Sequence, residues 1–425
     1  MPQSEPSNAS PAISDLIPTY GETFPDGTLI ELVRAAGSAT PKLLFWDGRD
    51  QTIGDVIRHR AKSYIARTIP ETIFQALNLP CRAGPFVSTS ELLGEICKLI
   101  HSFVGLPEKF TALAGRFVFA TWLVDAMPRA PRILIDGPDI MRARQLLQLS
   151  KCVWRRGLRS AALSPAGFCS LPSGMRFTLL VGETSVSPRL ANLLEATLVR
   201  DALITKGGEL RDLFGAQMIL RDTGFDDENW PPATIQIPCA PMGDRVPILG
   251  SEQQRLIAEE FQPLLLAFRI ANFRAACATT FDVSKFSIPL REISASLAAA
   301  TPGVIDLQTE LTELLRDEDN EIKSARWVDL NTVIVESILV FCHEGKMETA
   351  YVREIAEMAT KILEGRGVSR EIDPGEVGRR LKTSGFSTEP RDARGVKLRL
   401  TNDVCVRAHD LAHEFDAPGA GNGVS

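Results

Sequence analysis

The sequence predicts an α/β protein with a largely parallel sheet, joined to a smaller α+β unit at its C-terminal end. Three observations carry this reading. Residues 132–238 alternate short apolar runs with stretches of helical period, the pattern of strands linked by crossover helices. Residues 330–415 read helix, helix, short helix, basic β-wing, helix. The 425 residues are 44% apolar and 24% charged, a globular balance that excludes disordered, collagen-like and coiled-coil chains.

Residues 1–25, rich in Pro, Ser and Asn, read as a flexible tail. Residues 26–110 form a mixed N-terminal region. Within it, apolar runs at 29–33 and 43–46, set between Gly and Asp, suggest a small β-rich unit over 28–57. Ser88-Thr89-Ser90-Glu91 then opens a helix, with Leu92, Leu93, Ile96, Leu99 and Ile100 on one face. Residues 111–250 carry the α/β domain, led in by a helical stretch over 110–127. Residues 132–136 are a strand ended by Gly137-Pro138, and 140–154 have helical spacing. Residues 177–181 are a second strand, with a helix from Pro188. Residues 203–213 suit a hairpin turning at Gly207-Gly208, and 216–220 and 233–237 are further strands. Residues 251–315 are a helical segment. The acidic run at 316–321 has no apolar period, so 316–329 reads as a solvated connector. A distinct unit fills 330–416, and 417–425 is a tail.

The formal charge is −6 and the pI about 5.6, so no global basic field exists and any nucleic-acid surface must be local. Eight scattered cysteines include no C-x-x-C pair, as expected for reduced thiols of a cytosolic protein. The first residues lack the basic and apolar regions of a signal peptide. No apolar run reaches the ~18 residues of a membrane span. A soluble, cytoplasmic protein without a membrane partner is expected.

Strand, Gly-Pro, helix is where a phosphate-binding loop would sit. The pattern G-x-x-x-x-G-K-[ST] needs backbone amides, a Lys for the phosphates and a hydroxyl for Mg²⁺. Here Gly137 matches and Pro138 follows it. Arg142 stands where the second glycine belongs, Ala143 replaces the Lys, and Arg144 replaces the Ser/Thr. The metal-binding strand end, Leu179-Leu180-Val181-Gly182-Glu183, keeps the Glu and lacks the Asp. Gly137, Pro138, Arg142, Arg144 and Glu183 therefore form a degenerate nucleotide site with no catalytic residue assigned. Arg142 and Arg144 retain the chemistry to hold an anion.

These pieces carry a resemblance. With Phe119-Ala120-Thr121-Trp122, Lys206-Gly207-Gly208 and Phe214-Gly215-Ala216, the stretch from about 113 to 244 resembles helicase-like, AAA+-type P-loop ATPases of mobile-element and phage replication modules. The resemblance implies a P-loop-like parallel sheet flanked by helices, followed by a winged-helix domain. It does not carry ATPase activity across. A late strand in active relatives usually bears a nucleotide-sensing Arg, and Pro231-Pro232-Ala233 stands before Thr234 here. No cofactor is expected; ATP with Mg²⁺ belongs only to the alternative reading.

In the C-terminal unit, residues 374–385 bury Val377 and Leu381 and leave Arg379, Arg380 and Lys382 for the outer side. Such a helix is the major-groove element of helix-turn-helix folds. Between 374 and 407, eight Lys/Arg stand against four Asp/Glu, a net of +4 on an acidic chain. Arg391, Arg394, Lys397 and Arg399 extend the charge onto the wing, so DNA is the expected partner. A protein partner in a replication complex is the other. His409 and His413 lie four apart without a third metal ligand, and Cys342-His343 are helix neighbours that point apart. No metal site is predicted. Three readings follow: a non-catalytic helicase-like protein associated with DNA, an ATPase with a non-standard site, or a docking scaffold.

Overall fold

The computed structural model describes residues 16–182, 186–220, 234–240, 246–344 and 348–415. Contacts divide the chain into two compact units. The first is Met1–Val283 with Glu292–Leu314, and the second is Ser284–Arg291 with Leu315–Ser425.

The first unit begins with β1 (Leu16–Thr19), β2 (Gly21–Thr23), β3 (Leu29–Val33), β4 (Lys42–Trp46), β5 (Gln51–Gly54), β6 (Val56–His59) and β7 (Lys62–Ala66). They form a four-stranded sheet β2-β3-β4-β5 and a three-stranded sheet β1-β7-β6. Residues 16–19 and 21–23 are thus strands, where a loose tail was expected. Their backbone partners are β7, paired in parallel with β1, and β3, paired antiparallel with β2. No local pattern announces partners that lie on other segments.

Helices α1 (Glu71–Ala76), α2 (Thr89–Val104) and α3 (Glu108–Trp122) follow. The Ser88 hydroxyl caps α2, accepting from the Glu91 amide at 3.2 Å, and Gly105 ends it in the left-handed region. The layered domain then runs β8 (Arg132–Asp136), α4 (Ile140–Val153), β9 (Gly157–Ser160), α5 (Pro165–Phe168), β10 (Thr178–Val181), α6 (Pro188–Ala196), the hairpin β11 (Leu203–Lys206) and β12 (Glu209–Asp212), β13 (Gln217–Leu220) and β14 (Ile235–Pro238). The sheet order is β14-β8-β13-β10-β9, and every pairing is parallel. Numbered within the sheet this is 5-1-4-3-2, compatible with a P-loop-like fold. Strands β10 and β13 are buried throughout, as central parallel strands covered on both faces must be. β9 escapes sequence reading because Gly-Leu-Arg-Ser is a short polar edge strand. Helices α7 (Ser251–Ala278), α8 (Ile288–Ala299) and α9 (Ile305–Leu314) come next, and α7 packs against α4.

The second unit contains α10 (Arg316–Trp327), α11 (Leu330–Glu344), β15 (Thr349–Tyr351), α12 (Val352–Gly365), α13 (Pro374–Thr383), β16 (Thr388–Asp392), β17 (Gly395–Arg399) and α14 (Asn402–Glu414). The acidic run is therefore a helix, which corrects the connector expected there. Asp317, Glu318 and Asp319 sit in its first turn, where the helix dipole favours negative charge. Asp319 is buried: it accepts from the Ser287 amide at 2.7 Å and pairs with Lys323 at 2.5 Å. The three strands form an antiparallel sheet, β15-β17-β16. Val333, Ile338, Ile355, Ala359, Val377, Leu381, Leu398 and Leu411 share one core with them.

Candidate functional site

β8 ends at Asp136, whose carboxylate accepts from the Gly137 amide at 2.7 Å. Gly137 has φ +121°, and a Cβ there would lie 2.6 Å from the Cys239 carbonyl oxygen. The same oxygen accepts from the Asp139 amide at 3.0 Å. The loop is therefore folded onto the chain just past β14, and that contact by itself requires glycine. Gly137→Ala combines the clash with a disfavoured φ, so it should cost about 1–3 kcal/mol in a urea unfolding experiment.

Asp139 caps α4, accepting from the Arg142 amide at 3.0 Å. A bound phosphate would compete with this carboxylate for the helix end, against its charge. Arg142 is only 5% exposed. Its Nη1 donates to the Gly105 carbonyl at the end of α2 (3.1 Å), and its Nε lies 3.4 Å from Asp139. Arg144 is half-buried, one turn on from Met141. Pro138 is exposed. Glu183 and residues 231–233 lie outside the described residues.

In the second unit, Asp373 caps α13 with an oxygen 3.0 Å from the Glu376 amide, and Pro374 takes the first turn. Val377 and Leu381 are buried, as the spacing predicts, and Arg379 and Lys382 are exposed. Arg380 differs from expectation. It is half-buried, pairs with Glu376 at 3.1 Å and donates to the Asn331 Oδ1 at 2.9 Å, tying α13 to the start of α11. In the turn between β16 and β17, Asp392 accepts from the Arg394 amide at 2.8 Å and the Gly395 amide at 3.2 Å. Lys397 lies between Glu389 (3.4 Å) and Asp392 (3.5 Å), and Arg399 pairs with Glu389 at 2.9 Å. Three of the seven cations picked from sequence are thus engaged within the unit. Arg379, Lys382, Arg391 and Arg394 are exposed, with no ion pair among the described residues. Pairing partners four residues away or across a hairpin are what sequence charge counting overlooks.

Sequence reasoning also missed a buried charge network in the first unit. Glu31, in the middle of β3 and 1% exposed, accepts from Arg155 (2.7 Å) and pairs with Arg269 (3.1 Å) and Arg156. Asp125 pairs with Arg155 (2.9 Å) and Arg269 (2.5 Å). Burial works against both carboxylates, but the surrounding guanidiniums hold each below its ordinary range. The signal was a lone Glu inside the apolar run Leu29-Ile30-Glu31-Leu32-Val33 and the Arg155-Arg156 pair ahead of β9.

His343 and His409 approach at 3.1 Å between ring nitrogens, and no cluster of three metal-ligating side chains occurs among the described residues. No helix among them is long and apolar enough to cross a membrane.

No protein-family model and no curated protein matches the chain. Among solved structures, the apo NrS-1 C-terminal region aligns at 11% identity and a TM-score of 0.36, covering 88% of this chain and 97% of that one. A structure of Drosophila ORC bound to DNA aligns at 13% identity and a TM-score of 0.19, covering 77% and 94%. These are weak structural neighbours, too distant to carry a function or a site across, and the chain is similar to them in that limited sense only.

Proposed function

We propose that this chain is a non-catalytic, helicase-like, DNA-associated protein, accessory to replication or maintenance of a mobile element or genome. In this reading the second unit is a winged helix. The element order α11, β15, α12, α13, β16, β17 supports it, with α13 as the recognition helix and β16–β17 as the wing. The observation that carries the proposal is the set of four exposed cations, Arg379 and Lys382 on α13 and Arg391 and Arg394 on the wing, without ion pairs among the described residues. Unpaired guanidinium and ammonium groups on two neighbouring elements are what phosphate docking uses. The loop after β8 supports the absence of ATP hydrolysis, because Asp139 takes the helix end and Arg142 is committed to Gly105.

The test is fluorescence anisotropy of a labelled generic duplex with the full chain, alongside an ATP hydrolysis assay. Duplex binding that weakens steeply with salt, with no phosphate release, is expected. Hydrolysis that depends on Arg144 and Glu183 would restore the ATPase reading. No duplex affinity at moderate salt would make the second unit a protein-docking module.

A further inference from the structure

A recessed cavity of about 380 Å³ opens in the first unit, lined by Thr19–Thr23 of the β1–β2 turn, by Asp125, and by Arg67, Arg155, Arg156, Arg176 and Arg200. It lies at the amino ends of the parallel strands, since Arg155-Arg156 directly precede β9 and Arg176 precedes β10 by two residues. The degenerate nucleotide loop is at the opposite, carboxyl end of β8. The geometry points to a binding site here for a small free polyphosphate anion, of the size of pyrophosphate or the phosphate tail of a nucleotide.

Charge is the first support. Among the described residues, six guanidiniums (Arg67, Arg155, Arg156, Arg176, Arg200 and Arg269) stand around the cavity and its floor beside four carboxylates, Glu22, Glu31, Asp125 and Asp212. The floor is desolvated: Arg155 and Arg156 are each 2% exposed, and the Nε of each is buried without a hydrogen-bond partner among the described residues. Burial and the neighbouring Arg155 push the Arg156 pKa down to about 10, and Glu31 and Asp125 act against that shift.

The backbone is the second support. Arg156 (φ 51°) and Arg176 (φ 54°) both adopt the left-handed region, disfavoured for long side chains. Both residues line the one cavity. Arg156 also donates to the Met175 and Tyr20 carbonyls, each at 2.6 Å, which fixes its fork. The rim is less buried by contrast. Arg67 is exposed over the Tyr20 ring, and Arg200 lies against Phe214 and the Asp125 carbonyl. A buried fork below and less buried arginines above suit an anion with several phosphate oxygens. The volume falls in the range of small-molecule sites and excludes a duplex.

The test is isothermal titration of the full chain with inorganic pyrophosphate, sulfate and ATP at physiological salt. Pyrophosphate should bind well above sulfate. The double variant R67Q/R200Q should weaken it by roughly tenfold or more, the effect of losing charge-assisted contacts; its thermal transition is measured alongside, because Arg200 also donates to the Asp125 carbonyl. R67Q alone, at an exposed rim position, serves if the double variant unfolds, and a loss of at least about threefold is expected from it. ATP binding equal to pyrophosphate would mean that phosphates alone are read, and tighter binding that the nucleoside adds contacts; both uphold the site. Absence of pyrophosphate binding would overturn it. So would binding that survives R67Q/R200Q but is lost in Arg144→Gln, which would move the anion to the loop after β8. Displacement of pyrophosphate by a single-stranded oligonucleotide of higher affinity would assign the cavity to a polynucleotide backbone instead. Duplex binding through the second unit is a separate measurement, unaffected by any of these outcomes.

Discussion

Replacing Arg379, Lys382, Arg391 and Arg394 together by Gln is expected to flatten the salt dependence of duplex binding by about 3–4 units of log K against log salt, since each phosphate contact contributes about 0.9. Affinity should fall for all sequences alike, because phosphate contacts position a protein without reading bases. Anisotropy titrations at several salt concentrations measure both effects. Charge removal at Arg353 and Lys361, on α12, should leave the slope nearly unchanged. Equal losses from both sets would mean diffuse attraction to the unit instead of a docked α13 and wing. Arg380→Gln separates structure from binding: Arg380 is held by Glu376 and Asn331, so its loss should lower stability by about 1–2 kcal/mol and alter the slope little.

Glu31→Gln is expected to be the most destabilising single change in the first unit. The substitution keeps the shape but removes the one carboxylate that Arg155, Arg156 and Arg269 share. Breaking a buried ion pair from one side leaves charge without compensation, at a cost of about 3–5 kcal/mol. Urea unfolding should show a lower midpoint at constant slope. A loss under about 1 kcal/mol would mean that the arginines repack on Asp125 alone or admit water. The Glu31 carboxyl is held below its ordinary range in the folded chain. Its stabilisation is therefore fully present above the unfolded value of about 4.3 and is lost as pH falls through the lower, folded value. Wild-type stability should decline on acidification below about pH 5, and Glu31→Gln should show a shallower decline.

Much of the first unit's sheet was legible because parallel strands buried on both faces are apolar runs bounded by Gly and Pro. Residues 132–136, 177–181, 216–220 and 233–237 were expected in one parallel sheet, and β8, β10, β13 and β14 lie there. The hairpin at Gly207-Gly208 was legible for the same local reason, since its turn needs φ above zero at both glycines. Strands made by their partners were not legible. β1, β2, β9 and β15 are three or four residues each, and what holds them is pairing to segments elsewhere in the chain. The acidic run at 316–321 misled for a related reason: Asp319 is buried by the Ser287 amide and Lys323, and only the folded unit supplies the first of these.

By itself the sequence determined the α/β alternation, the departure of residues 137–144 from the phosphate-loop pattern and the basic character of residues 374–407. Each is local, written in periodicity, in glycine placement or in net charge over a short window. Tertiary structure decided which charges are available. It spent Arg142 on the end of α2 and Arg380 on Asn331, paired Lys397 and Arg399 across the β16–β17 hairpin, and left Arg379, Lys382, Arg391 and Arg394 exposed. It also drew Arg67, Arg155, Arg156, Arg176 and Arg200 to one cavity from segments up to 133 residues apart. A charge's worth depends on its desolvation and on partners within a few ångströms, and those distances exist only after the chain has folded.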